Sequence, residues 1–376
     1  MQISVGKEIL EGEKRIAIVP GGVKKLVDLG ARVFIEDGLG ESIGIPNEEF
    51  IKVDAQIISD RRELFQQADL VFKIRKPNLE EISVLKKDAI LISFLDPFFS
   101  NEVILNLAKN HITSLAMELI PRITKAQKMD ALSSQANLAG YVSVILAAER
   151  INKIFPMMMT PAGTIAPVRV FIIGAGVAGL QAIATAKRLG ARVDAFDTRP
   201  AVEEQVKSLG AKFVKVDLGE TGETKDGYAK GLTEDQMSKQ REVMAKQCTL
   251  SDVVITTAQV FGKKAPRIIT QEMIKGMQPG SVLIDLAIET GGNIEGAKLD
   301  QEIIQHGVRI IGLGNLPGHV AFHASQMYSN NIVNLVAEFW NKNEKSFQLN
   351  LEDEIIKSAL VTHQGEMVNS LLKDRI

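Results

Sequence analysis

The sequence predicts an α/β protein of two domains with mostly parallel sheets. Three observations carry that reading. The chain has 376 residues, more than one hydrophobic core usually organises. Short β-branched runs alternate with helix-period patterns through both halves, as expected of parallel strands joined by crossover helices. A glycine cluster, "GAGVAG" from Gly174 to Gly179, directly follows one such run and opens a helix pattern.

Taken in order, "RIAIVP" reads as a strand and "GGVKKLVDLGA" as a helix ending at Gly30. "RVFIE" reads as the next strand, and "RRELFQQA" as a helix leading to "DLVFKI". "LEEISVLKK" precedes "AILISFL", and "NEVILNLAKNH" precedes "ITSLAMEL". From about Leu132 to Ile154 a long segment reads as helix, leaving the first domain and entering the second. "FPMMMTPAGTIAP" reads as a loop; its methionine triple, Met157 to Met159, suits irregular packing better than a site. The second alternation gives "VRVFII", the glycine turn, a helix and "RVDAF", then strands at "KFVKV", "DVVITTA", "SVLIDLAI" and "VRIIGL". The helical tail "ASQMYSNNIVNLVAEFWNK" is expected to return to the first domain. That makes the first domain discontinuous, 1–138 plus 325–376, around a second domain at 139–324.

Composition excludes several classes. Hydrophobic residues make up 45% and charged residues 24%, which fits a globular chain and not a disordered one. A net charge of −2 offers no electrostatic footprint for nucleic acid. The amino terminus lacks the basic, apolar and small-residue succession of a signal peptide. No uncharged apolar run reaches roughly 18 residues, so no membrane span is expected. Cys248 is the only cysteine; it excludes an internal disulfide and suits a reducing, cytoplasmic setting.

The glycine cluster supplies Gly174, Gly176 and Gly179, with Val177 and Ala178 between them. Glycines at this spacing allow a tight turn, close backbone approach to a pyrophosphate, and tight helix–strand packing. The helix amino terminus adds free N–H groups and the positive end of a dipole. Asp197 ends the second strand, 197 − 179 = 18 residues past the last glycine. A carboxylate there accepts hydrogen bonds from ribose hydroxyls and repels a 2′-phosphate, favouring NAD over NADP, although Arg199 pulls the other way. The expected fold is therefore two Rossmann-like domains, the second a dinucleotide-binding fold. The polar stretch Gly219–Lys246 reads as a solvated insertion or a lid, with Tyr228 favouring a lid.

"PRITKAQKMDALSSQANLAGY" sets Arg122, Gln127 and Asp130 ahead of the long helix. They read either as a solvated turn whose ion pair caps that helix or as groups aimed at something that reacts. With "GKEILEGEKRIAIVP", "FPMMMTPAGTIAPVRVFIIGAGVAGLQAIATAKRLGA", "GYAK" and "PGSVLIDLAIETGG", this stretch resembles the NAD(H)-binding components of proton-translocating NAD(P) transhydrogenases. That family stands beside alanine dehydrogenase in one superfamily. The resemblance implies that Arg122, Gln127 and Asp130 form a loop against the nicotinamide end of NAD. It also implies that Ser133 binds near the carboxamide and that Tyr228 rides on a mobile loop. NADP(H) would sit on a partner domain, a membrane subunit would carry protons, and the chain would be a homodimer held peripherally at the inner face of a bacterial membrane.

Two other functions stay open: an alanine dehydrogenase-like enzyme, and a non-catalytic NAD-binding module. A dehydrogenase of amino acids moves protons as well as hydride. In the alanine dehydrogenase pattern a lysine and a histidine serve; here Arg75 and Asp96 occupy those positions, and an arginine does not relay protons. Arg15 matches a substrate-binding arginine of that relative, with an ion-pairing role as the alternative. His319 and His323 sit four apart, but a metal needs a third ligand that the sequence does not place. No metal site is expected. Direct transfer between two nicotinamide rings needs positioning and dryness and no general acid or base, which suits this residue set.

Overall fold

The computed structural model describes residues 1–217 and 233–373. The chain divides into two compact units, Met1–Gln135 with Val320–Ile376, and Ala136–His319. The boundaries expected from sequence lay a few residues further along at both crossings.

The first unit is built on an eight-stranded sheet. Its order is Glu366–Met367, Leu360–His363, Thr113–Ala116, Ile90–Ser93, Leu70–Phe72, Gln2–Val5, Arg32–Glu36 and Gln56–Ile58. The first six strands in sequence pair in parallel, and the two carboxyl-terminal strands are antiparallel. The chain runs outward from Gln2–Val5 to Gln56–Ile58 and then restarts on the other side at Leu70–Phe72. The carboxyl ends of Gln2–Val5 and Leu70–Phe72 thus flank a topological switch point, where open α/β sheets place ligands.

The run "RIAIVP" is not a strand. Ile16, Ala17 and Ile18 are buried, as its β-branched pattern demands, but the Ile16 and Val19 amides donate to Ser325 Oγ and Ser329 Oγ on the helix Ala321–Glu338. With those amides used by a helix, the ladder position passes to Gln2–Val5, and Pro20 starts the helix Pro20–Asp28.

The second unit carries a seven-stranded sheet ordered Lys212–Phe213, Arg192–Phe196, Arg169–Ile173, Val253–Thr256, Val282–Asp285, Val308–Gly312 and Gln301–Gln305. Every pairing is parallel except the last. Four central strands are near-continuous apolar runs, buried as parallel strands covered on both faces must be. Its switch point lies between Arg169–Ile173 and Val253–Thr256. "MMMTPAGTI" is not an irregular loop: Met158–Thr160 and Gly163–Ile165 form an antiparallel hairpin, exposed throughout. The hairpin makes its own ladder, and the methionines stay in solvent.

The helix Ala131–Arg150 is long and apolar enough to cross a membrane by length and composition. Its contacts are those of a packed helix. Gln135 donates to the Ala324 carbonyl, and a methyl at Gly140 would stand 2.1 Å from the Ala178 carbonyl, so two helices pack at backbone distance there. Cys248 is buried, and that burial pushes its thiol up to about 12.

Candidate functional site

The second unit's switch point is shaped by three glycines. Gly174 ends the Arg169–Ile173 strand at φ +97°, a conformation only glycine takes without strain. A side chain there would also strike Thr257 Oγ1 at 2.5 Å. Gly176 caps the helix Val177–Arg188 in extended backbone, and a methyl built on it meets nothing within 4 Å. Gly179 is buried against the turn, where a methyl would lie 1.8 Å from the Gly174 carbonyl. The three glycines thus separate into turning, opening and packing. The helix start has no side-chain cap and no acidic residue in its first turn, and Val177 is exposed beside it. Unoccupied N–H groups, a positive dipole end and an open Cα position are the requirements of a pyrophosphate cradle, so these residues fit a dinucleotide.

Asp197 lies beside this cradle. Its Oδ2 accepts from the Ala175 amide at 2.8 Å, tying the end of one strand to the glycine turn. Thr257 Oγ1 donates to the Gly174 carbonyl at 3.0 Å and closes the other side.

Sequence reasoning missed the support beneath the crevice. Asp285, fully buried, accepts from the Ala287, Asn293 and Ile294 amides at 2.7–3.0 Å. Burial pushes its carboxyl up, opposed by those same amides. Asn293, also fully buried, bonds both the Ala258 amide and the Ala258 and Pro266 carbonyls. Together they fix the loops that follow Val253–Thr256 and Val282–Asp285. The signal was present as polar residues inside "LIDLAIETGGN", directly after an apolar strand.

The first unit's switch point is filled. Lys73, 1% exposed, meets Glu81 at 2.9 Å and Glu8 at 3.4 Å, and Arg61 joins Glu81 to Glu36. Glu13 accepts from Arg15 Nε at 2.8 Å, Arg15 Nη2 at 2.6 Å and Arg75 Nε at 3.0 Å. Arg15 also donates to Gln135 at 2.8 Å. Burial would raise Glu13, but the hydrogen bonds and charge of Arg15, with the charge of Arg75, hold it down at about 2. Glu8 goes the other way: burial outweighs Lys73 and pushes it up. Arg15 is thus an ion-pair partner here. Lys76 and Asp96 pair at 3.3 Å. Glu118 Oε1 accepts the Leu95 and Asp96 amides while its Oε2 is sealed without a hydrogen-bond partner. Burial pushes Glu118 up to about 7, against those backbone bonds.

The segment Thr124–Met129 forms a short 3₁₀ turn ahead of the long helix. Asp130 Oδ1 accepts the Ser133 amide at 2.8 Å and its Oδ2 the Ser133 hydroxyl at 2.5 Å. It caps the helix, so its carboxylate and Ser133 are brought together. Gln127 lies on that turn and Arg122 two residues before it. These residues belong to the first unit, and Gly174, Gly176, Val177, Ala178, Gly179 and Asp197 to the second. Tyr228 and the early part of Gly219–Lys246 lie outside the described residues; the late part is the helix Glu234–Thr249, capped by Thr233. His319 precedes the helix that holds His323, so the two do not share one helical face. Among the described residues no group of three His, Cys, Asp or Glu assembles as a metal site.

The amino-terminal domain model of alanine dehydrogenase/PNT matches residues 4–139, and the carboxyl-terminal model matches 143–370. The chain belongs to the alanine dehydrogenase/PNT family. Within that family it is 45% identical to an NAD(P) transhydrogenase alpha-subunit polypeptide of Rhodospirillum rubrum, covering 99% of each chain. It is 42% identical to the corresponding protein of Rickettsia prowazekii, over 100% of this chain and 98% of that one. A transhydrogenase structure from Sinorhizobium meliloti superposes with a TM-score of 0.88 at 43% identity, covering 98% of this chain and 100% of the other. The α/β architecture with mostly parallel sheets is the fold of the family.

Proposed function

We infer that this chain is the NAD(H)-binding component of a proton-translocating NAD(P) transhydrogenase. It passes hydride directly between NAD(H) held here and NADP(H) held by a partner domain, and a membrane subunit couples the transfer to proton movement. The observation that carries this reading is the end-to-end likeness to a transhydrogenase subunit. The ion-paired state of Arg75 and Asp96, at the positions where an amino-acid dehydrogenase keeps its proton carriers, supports it.

The nicotinamide supplies the hydride chemistry, and this chain's residues hold and orient it. The amides at the start of Val177–Arg188 receive the pyrophosphate, Gly176 lets it approach the backbone, and Asp197 takes the adenosine ribose. Arg122, Gln127 and Asp130 form the positioning loop for the nicotinamide end, with Ser133 near the carboxamide. The capping bonds from Ser133 fix the Asp130 carboxylate, so capping and positioning coexist. None of these groups takes up or gives a proton during the transfer; they align the ring and exclude water.

The exposed hairpin at Met158–Ile165, with Met157, Met158, Met159 and Ile165 all in solvent, supports self-association as a homodimer. Attachment to the inner face of a bacterial membrane comes through the partner subunits. The deciding experiment is reconstitution with the NADP(H)-binding domain and measurement of hydride exchange between the two nucleotides. Robust NADH oxidation with pyruvate and ammonia by the chain alone would overturn the assignment. A chain that binds NADH yet exchanges nothing with the partner would instead be a non-catalytic module.

A further inference from the structure

Asp197, read from sequence as the ribose acceptor, is already engaged. Among the described residues, four hydrogen bonds reach its carboxylate, two on each oxygen. Oδ1 accepts the Arg199 amide at 2.9 Å and Arg199 Nε at 2.9 Å. Oδ2 accepts the Ala175 amide at 2.8 Å and Arg199 Nη2 at 2.8 Å. A carboxylate offers about four acceptor positions, so none is left for a ribose hydroxyl. The pair is also well covered, with 15% of the Arg199 side chain and 6% of the Asp197 side chain exposed.

The four bonds are not equivalent. The Ala175 and Arg199 amides belong to backbone fixed by the glycine turn and the strand end. The Nε and Nη2 bonds belong to one rotatable side chain, and they go one to each oxygen. A vicinal diol donates in the same way, with one O–H to each carboxylate oxygen. The guanidinium fork of Arg199 therefore stands where the 2′- and 3′-hydroxyls of an adenosine ribose would donate.

We propose that Arg199 is an internal stand-in for the ribose diol and a determinant of nucleotide affinity and specificity at this site. The inference rests on the dinucleotide reading of the glycine crevice. Nucleotide binding exchanges the two side-chain bonds of Arg199 for two hydroxyl bonds, leaving the backbone bonds in place. The displaced guanidinium remains at the ribose edge with its charge, where it softens the repulsion between Asp197 and a 2′-phosphate. The native chain therefore binds NADH less tightly, and rejects NADPH less strongly, than Asp197 alone would.

The test is calorimetric titration of the full chain with NADH and with NADPH, for the native protein, Arg199→Ala and Arg199→Lys, each checked by thermal melting. Arg199→Ala is expected to bind NADH about three- to tenfold tighter and NADPH more weakly, while its nucleotide-free melting point falls. Arg199→Lys lacks the fork but keeps the charge, so NADH tightens while NADPH binding is retained. It also carries the test if the alanine variant fails to fold. A purely structural arginine would lower the melting point without tightening NADH. Weakened or unchanged NADH binding in a folded variant overturns the proposal. If the native chain itself does not bind NADH, the reading of the crevice fails instead.

Discussion

The crevice reading separates most sharply at Gly176 and Gly179, two residues of one turn with opposite surroundings. At Gly176 the backbone sits at φ −78°, ψ −165°, open to any residue, and a methyl meets nothing within 4 Å. Alanine there narrows the unfolded ensemble, a gain of about 0.4–1 kcal/mol, but it is a poorer helix cap than glycine by a similar amount. Stability should therefore stay within about 1 kcal/mol of the native protein. Binding should not. The methyl occupies the space through which a pyrophosphate reaches the helix amides, and each lost charged hydrogen bond costs about 1.5–3 kcal/mol. Affinity for NADH should drop about ten- to a hundredfold. Gly179→Ala reverses the pattern. Its methyl would lie 1.8 Å from the Gly174 carbonyl, so helix and turn must part. Overpacking of this kind costs about 1–3 kcal/mol or more, several degrees of melting temperature in a unit of this size. NADH fluorescence titration together with thermal melting measures both quantities. A well-folded Gly176→Ala protein with native affinity for NADH would refute the assignment of this turn to the pyrophosphate.

Gln127→Ala and Asp130→Asn should slow hydride exchange with the NADP(H)-binding partner at least tenfold while changing the NADH dissociation constant little. Asparagine can still accept the Ser133 amide, so Asp130→Asn should melt within about 1 kcal/mol of the native protein; near-native exchange in both variants would return the loop to a plain solvated turn. Glu118 titrates at about 7 when folded against an ordinary value of 4.5, so the folded state holds the extra proton between those limits and stability falls as pH rises from about 4.5 to 7. At about 1.4 kcal/mol per unit, Glu118→Gln should be up to about 3 kcal/mol more stable than the native chain at pH 8 and no more stable at pH 4, as denaturant melts at the two pH values would show. Glu13, held at about 2, contributes in full above its ordinary pKa of 4.5 and loses that contribution only as pH falls toward 2. Glu13→Gln should therefore cost about 3–5 kcal/mol at neutral pH, read by the same denaturant melts, by leaving Arg15 and Arg75 without their shared anion.

What the sequence made legible was local. The glycine turn and Asp197 are set by spacing along one β–α–β run, and an observer of that run alone can place them. Strand and helix periods held for the same reason wherever an element's amides are satisfied within its own sheet or helix. "RIAIVP" defeats that logic, because burial of Ile16 and Ile18 leaves the same alternating mark whether the amides of the run go to a strand or to Ser325 and Ser329 on a distant helix. The hairpin at Met158 was obscure because its strands are short and exposed, with no buried face to impose an alternation. The ionic cluster of Glu8, Glu13, Arg15, Lys73, Arg75 and Glu81 was illegible as a cluster. Its members meet only after parallel strands far apart in sequence are laid side by side. Asp285 and Asn293 left only a weak mark, polar residues just past an apolar strand, since their amide and carbonyl partners lie in loops whose paths the sequence does not specify. The fork of Arg199 on Asp197 was half legible: the two residues are neighbours, but the saturation of the carboxylate is a matter of geometry.

The comparison between the two units bears directly on the chemistry. Both sheets run outward from a first strand, return, and restart beside it, so both have a crevice at the same topological place. In the second unit that place is turned by Gly174 and left open at Gly176. In the first it is occupied by side chains whose charges are mutually cancelled, with Lys73 at 1% exposure. Buried ion pairs of this kind contribute little net stability, since the desolvation they suffer rivals their attraction. They do exclude a ligand, because a nucleotide phosphate would have to displace Glu8 and Glu13 from cations they already satisfy. Among the described residues, then, the chain offers one dinucleotide cradle in two similar frameworks. A reaction that moves hydride from one nicotinamide to another needs two cradles facing each other, and the second must come from another domain. That requirement follows from the glycines of one unit and the carboxylates of the other, and it is why the isolated chain should bind NADH yet turn over almost nothing.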